Sequence, residues 1–125
     1  MSGKNSKQFG VWMDSQNATI VGREQLDTGN FTIIGYEKNE GVNSNSTESA
    51  ANHSEKTVQH KFFKQITAHM QNVDEVHVTG PGTAQEQFIH YLADTPQYKN
   101  TIAKESTSIK MDNEKLIEFI SNQFN

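Results

Sequence analysis

Cysteine is absent from the 125 residues, so disulfides, zinc–thiolate sites, iron–sulfur clusters and a thiol nucleophile are excluded by inventory. Long apolar runs are also missing. No window approaches the ~18 consecutive apolar residues of a membrane-spanning helix, and no apolar stretch follows the charged start, Met1 to Lys7, as a secretory signal would require. The chain is therefore expected to be soluble and cytoplasmic, with no membrane partner. Apolar residues make up 33% of it, against a usual share of about 45–50%. Seven Phe, three Tyr and one Trp still supply large side chains for one core and one domain. Fifteen acids against eleven bases give a net charge of −4. That balance argues against indiscriminate phosphate binding and leaves room only for a localised basic face.

The pattern of what is present predicts eight elements. Phe9-Gly-Val11-Trp12-Met13 and Ala18-Thr19-Ile20-Val21-Gly22 are β-prone runs flanking Asp14-Ser15-Gln16-Asn17, whose short polar side chains suit a tight turn. Phe31 to Tyr36, after the turn residues Asp27 to Asn30, makes a third strand of the meander. The segment 39–55 holds four Asn, four Ser, three Glu and one large aliphatic residue, Val42, and is expected to be a mobile loop. From Lys56 to Gln71, Val58, Phe62, Ile66 and Met70 recur every four residues, with Phe63 widening the stripe, as in a helix burying one face. Val73 to Val78 reads as a strand ended by Gly80-Pro81-Gly82, and Thr83 to Glu86 has the form of a capping box. The helix it opens runs from about Ala84 to Asp94, burying Phe88, Ile89 and Leu92, carrying Gln85, Glu86 and Gln87 outside, and stopping before Pro96. Thr101 to Ile109 reads as an exposed strand near the sheet edge. Asp112 caps a last helix, with Met111 and Leu116 as a hydrophobic staple and Leu116, Ile117, Ile120 and Phe124 facing inward. Residues 1–8 are expected to form a flexible N-terminus and 9–125 the domain.

The order βββαβαβα, with right-handed crossovers through the helices, implies a mixed five-stranded sheet: an antiparallel meander continued by parallel strands. This α/β, three-layer arrangement is similar to the ribonuclease-H-like fold. Phe9-Gly-Val-Trp-Met-Asp14, Asn17-Ala-Thr-Ile-Val21, the loop before a Phe-rich helix and Val76-His-Val-Thr-Gly80-Pro81-Gly82 before another helix narrow the match. Together, over roughly Phe9 to Phe124, they resemble the middle domain of archaeal and eukaryotic peptide chain release factors. The chain resembles most closely the small stand-alone bacterial proteins related to that domain and classed with translational machinery components. The resemblance implies a ribosome-, tRNA- or RNA-associated role. One departure limits it: release factors of this type carry Gly-Gly-Gln in the loop before the first helix, and 39–55 contains no Gly-Gly pair. Peptidyl-tRNA hydrolysis by that route is not expected, and the acidic, Ser/Asn-rich loop lacks the Lys and Arg that would hold it on RNA phosphates.

Four groups of residues could carry chemistry. Gly80, Gly82 and Thr83 put a strand end beside a helix N-terminus, an arrangement that can hold an anion; a tight turn plus cap explains the same residues, and no Rossmann or P-loop pattern accompanies them. Asp14 ends the first strand, where ribonuclease-H-like nucleases place a metal-binding carboxylate. The other acids such a two-metal site needs are missing, and Asp suits the turn. Histidines at 53, 60, 69, 77 and 90 include no i, i+4 pair on one helix and no Cys to complete a set, so no metal site is expected, and His77 reads as a semi-buried, hydrogen-bonded imidazole. Lys56, His60 and Lys64 recur at i, i+4 and i+8, joined by Lys61, with no acid from Lys56 to Asn72. This is the clearest basic face and the candidate RNA contact, weighed against a solvated helix surface, with no aromatic stacking partner evident beside it.

The expected function is a non-catalytic, cofactor-free binding protein that contacts ribosome, tRNA or another RNA-containing partner. Two alternatives stand beside it. One is a protein adaptor acting through the acidic loop 39–55, and the other a metal-dependent ribonuclease-H-like hydrolase built on Asp14.

Overall fold

The computed structural model describes residues 7–25, 28–39 and 55–124. The expected mobile loop therefore lies outside the described residues, except for Asn39 and Glu55 at its ends. The elements are β1 (Gln8–Met13), β2 (Asn17–Gln25), β3 (Thr28–Lys38), α1 (Glu55–Thr67), β4 (Glu75–Gly80), α2 (Ala84–Asp94), a 3-10 turn (Pro96–Tyr98), β5 (Ile102–Thr107) and α3 (Asn113–Phe124). The strands form one sheet in the order β3-β2-β1-β4-β5. The meander β1-β2-β3 is antiparallel, whereas β4 runs parallel to both β1 and β5. This is the mixed five-stranded α/β sheet that the element order predicts.

Burial explains why the central strands are apolar in succession rather than alternating. In β1, Phe9, Val11 and Met13 face a core made with Phe62, Phe63 and Ile66 of α1 and Phe88 and Leu92 of α2. Trp12, on the opposite face, packs in a second core with Val21, Phe31, Leu116 and Ile120 under α3. A sheet covered on both faces favours apolar residues in succession along its inner strands. Gly10 is part of the same solution: a Cβ there would overlap the Ile120 side chain, so its absence lets α3 rest directly on β1.

The edges read differently. β5 closes one side and is largely exposed, as an interrupted Thr/Ile strand should be. β3 closes the other and runs from Thr28 to Lys38, longer than the predicted Phe31 to Tyr36. β1 begins at Gln8, one residue before the expected domain start, and Lys7 is tied to Asp74 through its backbone N–H, 2.8 Å from Oδ2.

Three local expectations are corrected. α1 ends at Thr67, not Gln71. The chain then tightens into i→i+3 bonds from His69 to Ile66 (3.1 Å) and from Met70 to Thr67 (2.9 Å), and Asn72 adopts a left-handed φ of 61°. Met70 still fills the core, but from a turn rather than a helix. The predicted capping box does not form: Thr83 precedes α2 without a side-chain cap bond. Gln85 is not on the outer face. It is buried at 1% exposure, because its amide nitrogen donates to the Gly80 carbonyl (2.9 Å) at the end of β4.

The last helix starts as its sequence specifies. Asp112 Oδ1 accepts from the Lys115 N–H at 2.9 Å, the geometry of an N-cap. Met111 packs on the core beside Leu116, consistent with the staple.

Candidate functional site

The basic stripe lies on α1. His60, Lys61 and Lys64 are exposed, and Lys56 occupies the first turn of the helix, with a side chain outside the described part. The apolar stripe of α1 fixes this placement: with Phe62, Phe63 and Ile66 buried against the sheet, the intervening positions must point away.

Sequence reasoning missed what lies beside the stripe. α1 and α2 cover the same face of the sheet, and between them runs an open groove of about 380 Å³ lined by Gln59, His60 and Phe63 from α1 and by Gln87, His90 and Tyr91 from α2. The His60 ring meets Tyr91 edge-on, with centroids 5.2 Å apart. Tyr91 in turn lies 5.4 Å from Phe63 and stacks at 6.3 Å on Phe88. An aromatic surface does therefore adjoin the basic face, contrary to the expectation from the sequence. Helical periodicity tells which side of α2 is apolar but not which helix lies next to it, so the pair could not be read from spacing. The Gln59 amide nitrogen donates to Gln87 Oε1 across the groove. Burial, followed by the neighbouring Tyr98, pushes the Tyr91 phenol above its usual pKa of 10.0, so at neutral pH it is an uncharged donor.

The Gly80–Thr83 turn is positioned by backbone contact. A Cβ on Gly80 would overlap the Met13 carbonyl oxygen, so β1 and β4 can meet at their ends only through glycine. Gly82 and Thr83 are exposed at the start of α2. Beside them Gln85 Oε1 is buried with no hydrogen-bond partner, and an acceptor oxygen repels rather than attracts an anion.

The remaining candidates fall to structural roles. Asp14 Oδ1 accepts from the backbone N–H groups of Gln16 (2.8 Å) and Asn17 (2.7 Å), an Asx turn closing the first hairpin. His77 is buried on the α3 side of the sheet, with Nε2 2.9 Å from Ser106 Oγ and the ring edge-on to Phe119 at 5.7 Å. Burial, and secondarily the Lys104 ammonium, hold its pKa below 6.5. His69 Nε2 lies 2.7 Å from Glu37 Oε2, and its ring occupies the space a Cβ on Gly35 would need, fastening the end of α1 to β3. His90 is exposed on α2, whereas His53 lies outside the described residues. Among the described residues no three His, Asp or Glu side chains converge as metal ligands, and no helix is long and apolar enough to cross a membrane.

Solved structures share this architecture. The Pelota protein of Thermoplasma acidophilum matches 93% of the chain at 21% identity and a TM-score of 0.60, over 32% of its own length. Archaeoglobus fulgidus Pelota matches 98% at 15% identity and a TM-score of 0.58, again over 32% of its length. The archaeal translation termination factor aRF1 matches 96% at 14% identity and a TM-score of 0.54, over 34% of its length. The fold is that of one domain of Pelota and aRF1. The chain spans about a third of the length of each of these proteins. No family model matches the sequence, and no curated protein does.

Proposed function

We propose that this release-factor-like domain acts in translation as a non-catalytic module that contacts the RNA of a ribosome or tRNA through α1. The observation that carries the reading is the exposed row of His60, Lys61 and Lys64, on a segment without an acid from Lys56 to Asn72, in a chain whose overall net charge is −4. A run of positive charge on one helix face, free of neighbouring acids, favours approach of a polyanion to that face. The similarity to aRF1, a translation termination factor, supports the cellular context. The Gly80–Thr83 turn has no part in the contact, since Gly80 serves close backbone approach and Gln85 sets an acceptor beside it.

Sedimentation of the tagged protein from fresh lysate through sucrose, at low and moderate salt, tests this. Co-migration with a ribosomal subunit, weakened by salt and abolished by Lys61→Glu/Lys64→Glu, is the expected result. Migration as a free small protein at every salt concentration would sink it, as would co-migration that the double reversal leaves intact.

A further inference from the structure

We infer that the groove between α1 and α2 receives one unpaired base of a single-stranded RNA, with a flanking phosphate on Lys64. The inference deepens the RNA-contact reading above and rests on it. Three features of the groove converge on this ligand.

The first is an aromatic wall partly open to solvent. Tyr91 and His60 lie 5.2 Å apart at its wall, and the ring stack beneath, Phe63 and Phe88, fixes Tyr91 in place. Every base has a π-face, and stacking on a held ring is the sequence-tolerant part of single-strand recognition. The second is the amide pair. Gln59 and Gln87 are joined through one donor and one acceptor, which leaves Gln59 Oε1 to accept and Gln87 Nε2 to donate. A base edge offers the matching donor and acceptor side by side. The third is charge arranged by position. Lys64 follows His60 by one helical turn and so lies on the His60 side of α1, whereas Lys61, one position on from His60, projects further round the helix. Asp94 lines the groove from the last turn of α2 and can accept from an exocyclic amine.

A duplex fits none of this, because its bases are stacked on one another and their faces are not available. A volume of about 380 Å³ is within the range of small-ligand sites, enough for one base rather than a run of them.

The test uses the whole chain, with oligouridylate and oligoadenylate of about eight nucleotides, and a duplex of the same length as the control. NMR of the aromatic ring protons is expected to show Tyr91 and His60 signals moving with either single strand and not with the duplex. His60→Ala and Gln87→Ala, both at exposed positions, are expected to weaken single-strand binding about tenfold in a filter assay. Ring signals that stay still, or that move equally with the duplex, would overturn the inference, as would wild-type affinity in both groove variants. If Lys61→Glu/Lys64→Glu abolishes ribosome co-sedimentation while the groove variants retain it and bind oligonucleotide like wild type, the groove assignment fails and the proposed function stands. If the wild-type chain binds no single strand at all, the groove assignment fails whatever the sedimentation result.

Discussion

At the scale of single residues, two glycines in one turn carry opposite burdens. Gly80 has no room for a side chain because the obstructing atom is the Met13 backbone oxygen, which cannot move without breaking the β1–β4 register. Gly82 has nothing within 4 Å of the position a Cβ would take. Gly80→Ala is therefore expected to lower stability by about 2 kcal/mol or more, and Gly82→Ala to stay within about 0.5 kcal/mol, as read from urea midpoints at constant slope. His77 sets a pH dependence of its own. Its folded pKa lies below 6.5 because burial, then Lys104, disfavour the charged ring. Above 6.5 the ring is neutral in both states and costs nothing. As the pH falls through 6.5 the unfolded chain takes up a proton that the folded chain resists, so stability drops until the lower folded pKa is reached. Between about pH 7.5 and about pH 5.5 the urea midpoint of the wild type should fall more steeply than that of His77→Gln, which keeps a polar partner for Ser106 without titrating.

At the scale of elements, the two capping positions separate what a local motif promises from what packing allows. Asp112→Ala should cost about 0.5–2 kcal/mol, because its carboxylate accepts the Lys115 N–H at 2.9 Å. Thr83→Ala should change stability by no more than about 0.5 kcal/mol, since Thr83 makes no side-chain cap bond. A larger loss at Thr83 than at Asp112 would contradict this ordering. Strands and helix faces were legible in the sequence because short β-prone apolar runs and the 3.6-residue helical period depend only on the chain itself. Phe9 to Met13, Phe62 with Phe63, and Leu116 with Ile120 all take the places their spacing assigns. Element ends were less so. α1 stops at Thr67 because His69 turns towards Glu37 and Gly35 on another strand, a contact no window around His69 contains. Gln85 counted as a surface residue by its type and position, yet the carbonyl that draws it inward belongs to Gly80 of β4. The basic half of the candidate site was visible as a lysine stripe. Its aromatic half was not, because Tyr91 reaches His60 only through the packing of α2 beside α1.

At the scale of the whole molecule, two layers of unequal depth enclose the sheet. One face is covered by α1 and α2 with most of the large side chains, and the other mainly by α3. The functional proposals concern the two-helix side, where charge and aromatic surface adjoin. The opposite side holds Trp12, the one tryptophan in the sequence, whose indole N–H donates to the Ile109 carbonyl at 3.2 Å and whose ring lies 5.2 Å from the Lys110 ammonium. Both partners belong to the segment that leads into α3. The indole is therefore shielded only once that helix has docked, and the molecule carries a built-in optical reporter: its emission should shift to the blue in step with closure of the α3 layer and remain insensitive to whatever occupies the far side of the sheet.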